Sequence, residues 1–171
     1  MTPLPPVLGG TGEIVGWTIQ DSRFVKTWAS GEGAYLFGGR WNSPGRRVIY
    51  AALDPATALV EVAVHKGFKV LNTVAHHLHH FTVTDPTAVH VVHEAEVPNP
   101  LWLRPVTPCV DQMEFGDALL AAHPFVLIPS AVSPHSWNLL VNADMAAPLM
   151  AAPASERLAL DPRLRRSSRR T

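Results

Sequence analysis

The chain has 171 residues, of which 47% are apolar and 16% are charged, and its 14 basic residues balance 14 acidic ones. This composition is typical of one globular domain, and its apolar runs are too short for a membrane-spanning protein. The neutral balance also argues against a nucleic-acid-binding protein, which usually carries a net positive charge.

The cysteine count and the first residues indicate a cellular compartment. A single cysteine, Cys109, excludes an internal disulfide and fits a reducing environment. The first residues lack the charged start and apolar middle of a secretory signal peptide, so we expect a cytoplasmic protein. A lone cysteine is usually a packing or surface residue, and we assign Cys109 no role.

The predicted elements begin with a segment over residues 1–14 that is rich in proline and glycine and is expected to be flexible. A first strand follows at VGWTI (15–19). Residues 31–45 contain five glycines, too many for a regular element, and predict a loop whose backbone approaches a ligand closely. This loop is the expected wall of a binding site.

The remaining elements alternate irregularly between strands and helices. They are a strand at VIYAA (48–52), a helix from Pro55 to about Lys66 with Asp54 as N-cap, strands at HHFTVTD (79–85) and AVHVVHE (88–94), a helix at CVDQMEFGDALLAAH (109–123), and strands at FVLIPS (125–130) and NLLVN (138–142). This order predicts one compact α+β domain over residues 15–160, with a twisted, mostly antiparallel sheet and flanking helices. Residues 161–171 form a basic tail that we expect to be disordered and solvated, with polyanion binding as the alternative.

Glu61 is the first candidate for chemistry. It is the only carboxylate between Asp54 and Lys66, in the otherwise apolar stretch ALVEVAV. A partly buried carboxylate is unfavourable unless another group pairs with it or uses it. The alternatives are a functional carboxylate and a structural ion pair.

Arg40 and Tyr50 are the second and third candidates. A guanidinium presents a planar fork of donors that suits phosphate, and flanking glycines let backbone amides reach the same anion. The alternative for Arg40 is that it holds loop carbonyls. Tyr50 lies in the predicted strand that follows the loop, where its ring could stack on a flat heterocycle or simply pack in the core.

The histidine-rich stretch HHLHH does not predict a metal site. In a strand, alternate side chains point to opposite faces, whereas zinc needs three or four ligands that converge on one point. We expect a solvated strand edge at His76, His77, His79 and His80, and no metal site in this protein.

The stretch SGEGAYLFGGRWNSPGRRVIYAALDPATALVEVAVH (30–65) resembles the RES-domain toxins of bacterial toxin–antitoxin pairs. The arginine, tyrosine, glutamate and serine of that family fall on Arg40, Tyr50, Glu61 and Ser130, and FGDALL (115–120) falls on its Gly-Asp motif. The resemblance runs from about Trp17 to Asn142.

This resemblance implies an ADP-ribosyltransferase-like fold and NAD⁺ as the substrate, with no separate cofactor. It implies cleavage of the nicotinamide–ribose bond, with water, phosphate or a protein side chain as the acceptor. Glu61 would stabilise the oxocarbenium-like centre, Tyr50 would stack on nicotinamide, and Ser130 would bond nicotinamide or a ribose hydroxyl. The pyrophosphate would be held by Arg40 and the glycine-rich loop, with Gly39 and Asn42 as further NAD⁺-binding residues. The partner implied is an Xre-type helix-turn-helix antitoxin, around a possible toxin homodimer.

The chain departs from the family pattern at two places. Thr18 stands where the family has an arginine, so a phosphate contact is lost unless Arg23 replaces it. Near the end, Asn138 and Asn142 are kept, but Ala143 and Met145 stand in the proline and histidine places. Besides NAD⁺ cleavage, two alternatives therefore stay open: protein mono-ADP-ribosylation, and a catalytically weakened module that binds the antitoxin.

Overall fold

A computed structural model describes residues 4–67, 71, 73–133 and 135–160. Within these residues the chain forms seven β-strands and four α-helices, joined by turns and short 3₁₀ helices. The strands are β1 (Val15–Asp21), β2 (Val48–Ala52), β3 (His76–Val83), β4 (Val89–Val91), β5 (Phe125–Pro129), β6 (Trp137–Asn142) and β7 (Met150–Arg157). The helices are α1 (Glu32–Phe37), α2 (Pro55–Lys66), α3 (Val110–Ala122) and α4 (Ala143–Ala146).

The strands form one sheet in the order β4-β5-β6-β2-β1-β3-β7. β4 and β5 pair in parallel, and the other pairs among the described strands are antiparallel. This arrangement confirms the predicted α+β class with a mostly antiparallel sheet and flanking helices.

Alternation along β2 directs its side chains to opposite faces of the sheet. Ile49 enters one apolar cluster with residues of the neighbouring strands. Tyr50, on the other face, packs against a second cluster that includes Leu120 of α3. Ala52 shares the face of Tyr50 and joins a third cluster with residues of α2. Helices α2 and α3 therefore lie on the same side of the sheet as Tyr50.

Helix α2 begins and ends where the sequence predicts. Asp54 accepts a hydrogen bond from the Thr57 N–H at 2.8 Å and caps the helix, and Pro55 occupies the first turn. The helix ends at Gly67, whose φ is 82° and whose N–H donates to the Ala63 carbonyl at 2.9 Å. Glycine adopts this left-handed conformation without the steric penalty of other residues. The ends of α2 are thus defined by local chemistry.

The glycine-rich segment differs from the prediction, because it contains the helix α1. Gly31, with φ of 64°, stands before this helix, and Gly38, with φ of 70°, ends it. The Gly38 N–H donates to the Ala34 carbonyl at 2.8 Å. Several of the glycines that indicated a continuous loop therefore delimit a short helix.

Strand β7 was not predicted from the sequence. It pairs antiparallel with β3, with Met150 opposite Val83 and Arg157 opposite His77. Its residues MAAPASER have little β-propensity, and most of them are exposed. Pro153 is tolerated because the strand lies at the edge of the sheet.

The described part of the segment expected to be flexible, residues 4–14, is packed on the sheet. Ile14 is 1% exposed, and Val7 and Leu8 pack against the same apolar cluster. The Ile14 carbonyl accepts the Val83 N–H at 2.9 Å. The predicted basic tail over residues 161–171 lies outside the described residues. No helix in the part that is described is long and apolar enough to cross a bilayer.

Candidate active site

The Glu61 carboxylate is held by two side chains from other elements. Its Oε1 accepts a hydrogen bond from the Ser130 hydroxyl at 2.7 Å and from the Asn138 Nδ2 at 2.6 Å. Ser130 directly follows β5, and Asn138 belongs to β6. The structure therefore brings the predicted residues Glu61 and Ser130 together and gives Glu61 polar partners in place of a structural ion pair.

The direction of the Ser130 hydrogen bond follows from its surroundings. Ser130 is buried, and its Oγ accepts the N–H groups of Val132 at 3.2 Å and Ser133 at 2.9 Å. A hydroxyl has two acceptor lone pairs and one donor hydrogen. Since both lone pairs have donors, the hydrogen points to Glu61, which can only accept as a carboxylate.

Tyr50 lies on the same face of the sheet, next to this pair. Ala52 is opposite Asn138 and Tyr50 is opposite Leu140 in the pairing of β2 with β6. Tyr50 and Asn138 are thus diagonal neighbours on one face, a relation that usually separates Cα atoms by about 7–8 Å. The register places Tyr50 beside the residues that hold Glu61.

The Tyr50 hydroxyl forms hydrogen bonds with the segment 38–47 between α1 and β2, which carries Arg40 and is called the Arg40 loop below. It accepts the Trp41 N–H at 3.0 Å and donates to the Asn42 Oδ1 at 2.7 Å. Burial raises the pKa of the Tyr50 phenol above its usual range, so the group stays neutral. The ring, and not the hydroxyl, is the part of Tyr50 that is left for a ligand.

Gly39 and Asn42 shape this loop from within. A Cβ at Gly39 would lie 2.4 Å from the Tyr50 hydroxyl oxygen, so only glycine fits there. Asn42 is 0% exposed, and its Nδ2 donates to the carbonyls of Ala34 at 3.2 Å and Ser43 at 2.9 Å. Both residues fix the position of Tyr50, and the complete burial of Asn42 does not favour the direct contact with NAD⁺ that we predicted.

The Arg40 guanidinium donates to three backbone carbonyls of a distant segment. They belong to Trp102 at 3.4 Å, Arg104 at 3.3 Å and Val106 at 2.9 Å. The alternative that Arg40 binds carbonyls therefore describes these contacts, although the carbonyls lie outside its own loop.

The pKa of Arg40 depends on its burial and on the charge of Glu61. Burial of the guanidinium lowers this pKa, and the negative charge of the nearby Glu61 carboxylate opposes that effect. An arginine stays protonated even so. Arg40 and Glu61 are thus close enough to influence each other electrostatically.

Helix α3 locks the Arg40 loop in place through the FGD stretch. The Phe115 ring packs edge-on against Trp41 at 6.3 Å, and a Cβ at Gly116 would lie 2.1 Å from the Trp41 carbonyl oxygen. Asp117 accepts the Ser43 N–H at 3.1 Å and the Arg46 Nε at 3.0 Å. The motif therefore has a structural explanation that the sequence did not supply.

Of the two departures from the family pattern, the second, at Ala143 and Met145, lies in α4 directly after β6. The first, at Thr18, lies apart from this cluster. Thr18 is buried, and since Trp17 is opposite Ala52, strand alternation places Thr18 on the face opposite to Tyr50. Arg23 is exposed and pairs with Asp21 at 2.8 Å, which lowers the pKa of Asp21 to about 2. Arg23 is therefore engaged in an ion pair of its own.

The histidines of β3 are more buried than the predicted solvated edge. His76 and His79 are buried, His79 completely, and the His79 ring stacks on Trp28 at 4.9 Å. His80 lies against Trp17 on the other face. In the described parts of the chain, no group of three or more His, Cys, Asp or Glu side chains could hold a metal ion. Cys109 is exposed.

Asn138 is the residue of the site that we did not predict as a ligand or catalytic group. Sequence reasoning identified it as part of a terminal pattern but assigned it no contact. The available signal was a polar residue that directly precedes the apolar run LLV of β6.

The RES domain family matches residues 16–162 of the chain. Toxin Res of Photorhabdus laumondii subsp. laumondii is 32% identical over 124 residues, which cover 71% of this chain and 76% of that protein. The Prs ADP-ribosylating toxin of a Sphingobium species is 33% identical over 120 residues, covering 66% of this chain and 71% of the relative.

A solved structure has the same fold. The chain resembles a protein in the crystal structure of the M. tuberculosis MbcT-MbcA toxin-antitoxin complex, with a TM-score of 0.64 and 25% identity. The match covers 86% of this chain and 85% of the other. Together with the match over residues 16–162, this shows that the chain belongs to the RES domain family and is a toxin of that family.

Proposed function

We propose that the chain cleaves NAD⁺ at the nicotinamide–ribose bond. The observation that carries this proposal is the Glu61 carboxylate, held through Oε1 by Ser130 and Asn138 on the sheet face that also carries Tyr50. When the bond breaks, its electron pair goes to the nicotinamide nitrogen and positive charge develops on the ribose. A carboxylate fixed in advance stabilises that charge without reorganising. Attack by water on the ribose, with loss of a proton, completes the hydrolysis.

Arg40 and Tyr50 bind the substrate in this proposal. A guanidinium has five N–H donors. The hydrogen bonds to the carbonyls of Trp102, Arg104 and Val106 use three of them, and two are left for pyrophosphate oxygens. The ring of Tyr50 stacks on nicotinamide. Gly39 and Asn42 act indirectly, by holding Tyr50 and the Arg40 loop, and Ser130 acts through Glu61.

The second candidate is protein mono-ADP-ribosylation. One relative is named an ADP-ribosylating toxin, and both reactions pass through the same bond cleavage. They differ in the acceptor, which is water or phosphate in one case and a protein side chain in the other. A third candidate, a weakened module that binds the antitoxin, has less support. Thr18, which stands where the family has an arginine, lies on the sheet face opposite to Tyr50. Glu61 keeps its hydrogen bonds to Ser130 and Asn138.

We further propose a partner, an Xre-type helix-turn-helix antitoxin, which could bind a toxin homodimer. The support is the structural neighbour, which was solved as a toxin–antitoxin complex. NAD⁺ is the substrate in this proposal and no other cofactor takes part. The place of action is the cytoplasm, where NAD⁺ and an antitoxin would both be available.

The proposal is tested by incubating the purified protein with NAD⁺ and identifying the products by mass spectrometry, with and without phosphate. We expect release of nicotinamide, and Glu61→Gln to lower its rate by about 100-fold or more, because the neutral amide no longer stabilises the developing charge. Glu114→Gln is the matched control, since Glu114 is an exposed glutamate of α3.

The products separate the candidates. Free ADP-ribose indicates hydrolysis, ADP-ribose 1-phosphate indicates phosphorolysis, and label retained on a macromolecule from NAD⁺ labelled in its adenylate part indicates protein modification. Intact NAD⁺ with a folded protein contradicts the enzymatic proposal and favours the weakened module. An equal rate for Glu61→Gln and wild type rejects Glu61 as the catalytic carboxylate.

A further inference from the structure

Asn138 contacts Glu61 with a defined orientation. Its side-chain amide lies 2.6 Å from the Glu61 Oε1. A carboxylate can only accept hydrogen bonds, so the group that faces it must be the amide nitrogen. The Asn138 Oδ1 consequently points away from Glu61.

This orientation leaves the Oδ1 of Asn138 without a hydrogen bond. The atom is buried, and no described residue donates to it. A buried acceptor without a partner destabilises a fold, and an apolar side chain at the same place avoids that penalty. Stability alone therefore does not explain an asparagine at position 138. The hydrogen bond from its amide N–H to Glu61 does explain it.

The two donors also distinguish the oxygens of Glu61. Ser130 and Asn138 both bind Oε1, whereas Oε2 receives no hydrogen bond from the described residues. Ser130 approaches from the end of β5 and Asn138 from β6, so together they fix the carboxylate from two adjacent strands. Oε2 is then the oxygen available for the developing positive charge.

We propose that Asn138 is a positioning residue, which holds the Glu61 carboxylate so that Oε2 meets the ribose in the transition state. This inference rests on the proposed cleavage of NAD⁺. Asn138 touches Glu61 and not the substrate, so its removal should affect the chemical step more than the binding of NAD⁺.

Asn142 is a matched control on the same strand and face. Its Nδ2 donates to the Leu120 carbonyl at 2.7 Å, and its Oδ1 accepts the Asp144 N–H at 3.1 Å. Both halves of this amide are used to join β6 to neighbouring helices. Asn142 is thus a structural asparagine, and Asn138 differs from it by its carboxylate partner and its unbonded oxygen.

The test compares Asn138→Ala, the nearly isosteric Asn138→Leu and Asn142→Ala with wild type, measuring kcat and KM for NAD⁺ and the melting temperature. We expect both Asn138 variants to lower kcat by about 10- to 100-fold, the usual effect of losing a hydrogen bond to a charged group, while KM changes by less than about threefold. The melting temperature of Asn138→Ala should stay within about 3 °C of wild type or rise. Asn142→Ala should show the reverse pattern, with a lower melting temperature and little change in kcat.

The outcomes separate the inference from the function on which it rests. Asn138 variants that keep wild-type kcat, while Glu61→Gln is inactive, overturn the positioning role and leave NAD⁺ cleavage intact. A drop in melting temperature for both Asn138 variants as large as that for Asn142→Ala, with no selective loss of kcat, assigns Asn138 a structural role instead. A folded wild-type protein that leaves NAD⁺ intact overturns the proposed function and the inference together.

Discussion

Tyr50 has two parts that substitution can separate, a hydroxyl that anchors the Arg40 loop and a ring that we propose stacks on nicotinamide. The hydroxyl binds Trp41 and Asn42, whereas the ring lies on the sheet face near Asn138. A tyrosine with a committed hydroxyl is a structural anchor for the Arg40 loop. The same anchoring holds the ring at a fixed angle, which is what stacking on a flat substrate requires.

Tyr50→Phe should destabilise the protein and retain part of its activity. The change leaves the Trp41 N–H and the Asn42 Oδ1 without their partner, which lowers the free energy of unfolding by about 1–3 kcal/mol. The melting temperature should fall by about 3–10 °C for a chain of this length. NAD⁺ cleavage should be reduced less than in Tyr50→Ala, because the ring remains.

Tyr35→Phe is the control for this prediction. Tyr35 is 40% exposed, and its ring lies below the Arg47 guanidinium. Its hydroxyl should contribute little to stability. Equal activities of Tyr50→Phe and Tyr50→Ala at a temperature where both are folded would show that the ring has no part in catalysis.

At the level of single residues, the sequence indicated the carboxylate better than its surroundings. Glu61 was recognisable because a charged residue in an apolar helix needs a partner. The partners of Arg40 were not predictable, because the carbonyls of residues 102, 104 and 106 meet it only through tertiary folding. The burial of Asn42 was not predictable either, because the sequence does not show which residues of a turn are covered.

At the level of elements, the sequence predicted the helices and strands whose ends are set by adjacent residues, and it missed those that depend on distant contacts. Helix α2 was predicted with its N-cap and its end, because Asp54, Pro55 and Gly67 act through adjacent residues. Helix α1 was missed because glycines both break and cap helices, and composition does not distinguish these uses. Strand β7 was missed because it forms by pairing with β3, a contact between residues more than 65 positions apart.

The close packing of α3 against the Arg40 loop at Gly116 predicts the effect of a substitution there. A Cβ at this position would lie 2.1 Å from the Trp41 carbonyl oxygen, and a backbone atom cannot move aside as a flexible side chain can. Gly116→Ala should therefore push α3 away from the Arg40 loop and lower the free energy of unfolding by about 1–3 kcal/mol or more. The contacts of Asp117 with Ser43 and Arg46 should loosen, and NAD⁺ cleavage should fall with them.

Gly33→Ala is the matched control for Gly116→Ala. Gly33 lies in α1, and a Cβ there meets no atom within 4 Å. Alanine is the better helix former by up to about 1 kcal/mol, so this variant should be as stable as wild type or more stable. Thermal unfolding of both variants checks the pair, and equal melting temperatures would mean that α3 does not pack as described.

On the scale of the whole molecule, the two faces of the sheet carry different sets of residues. One face carries Tyr50 and Asn138, and Glu61 of α2 lies against it. The other face packs His79 and Phe81 against Trp28, away from these residues. Changes to the second face should therefore alter stability without altering the chemistry of the first.

His79 allows this separation to be tested through the pH dependence of folding. Burial, assisted by the neighbouring His77, lowers the pKa of His79 from 6.5 to about 4. The unfolded chain therefore binds a proton at His79 below pH 6.5, whereas the folded protein binds it only near pH 4. The contribution of a neutral His79 to stability is thus complete above pH 6.5 and is lost as the pH falls from 6.5 towards 4. Between pH 7.5 and pH 5, the free energy of unfolding of wild type, measured by chemical unfolding, should fall by about 2 kcal/mol more than that of His79→Phe.

His65→Phe, at an exposed site, is the control and should behave like wild type. His79→Phe and wild type should cleave NAD⁺ at the same rate at pH 7.5. Equal pH dependence in His79→Phe and wild type would show that His79 titrates as a solvated histidine.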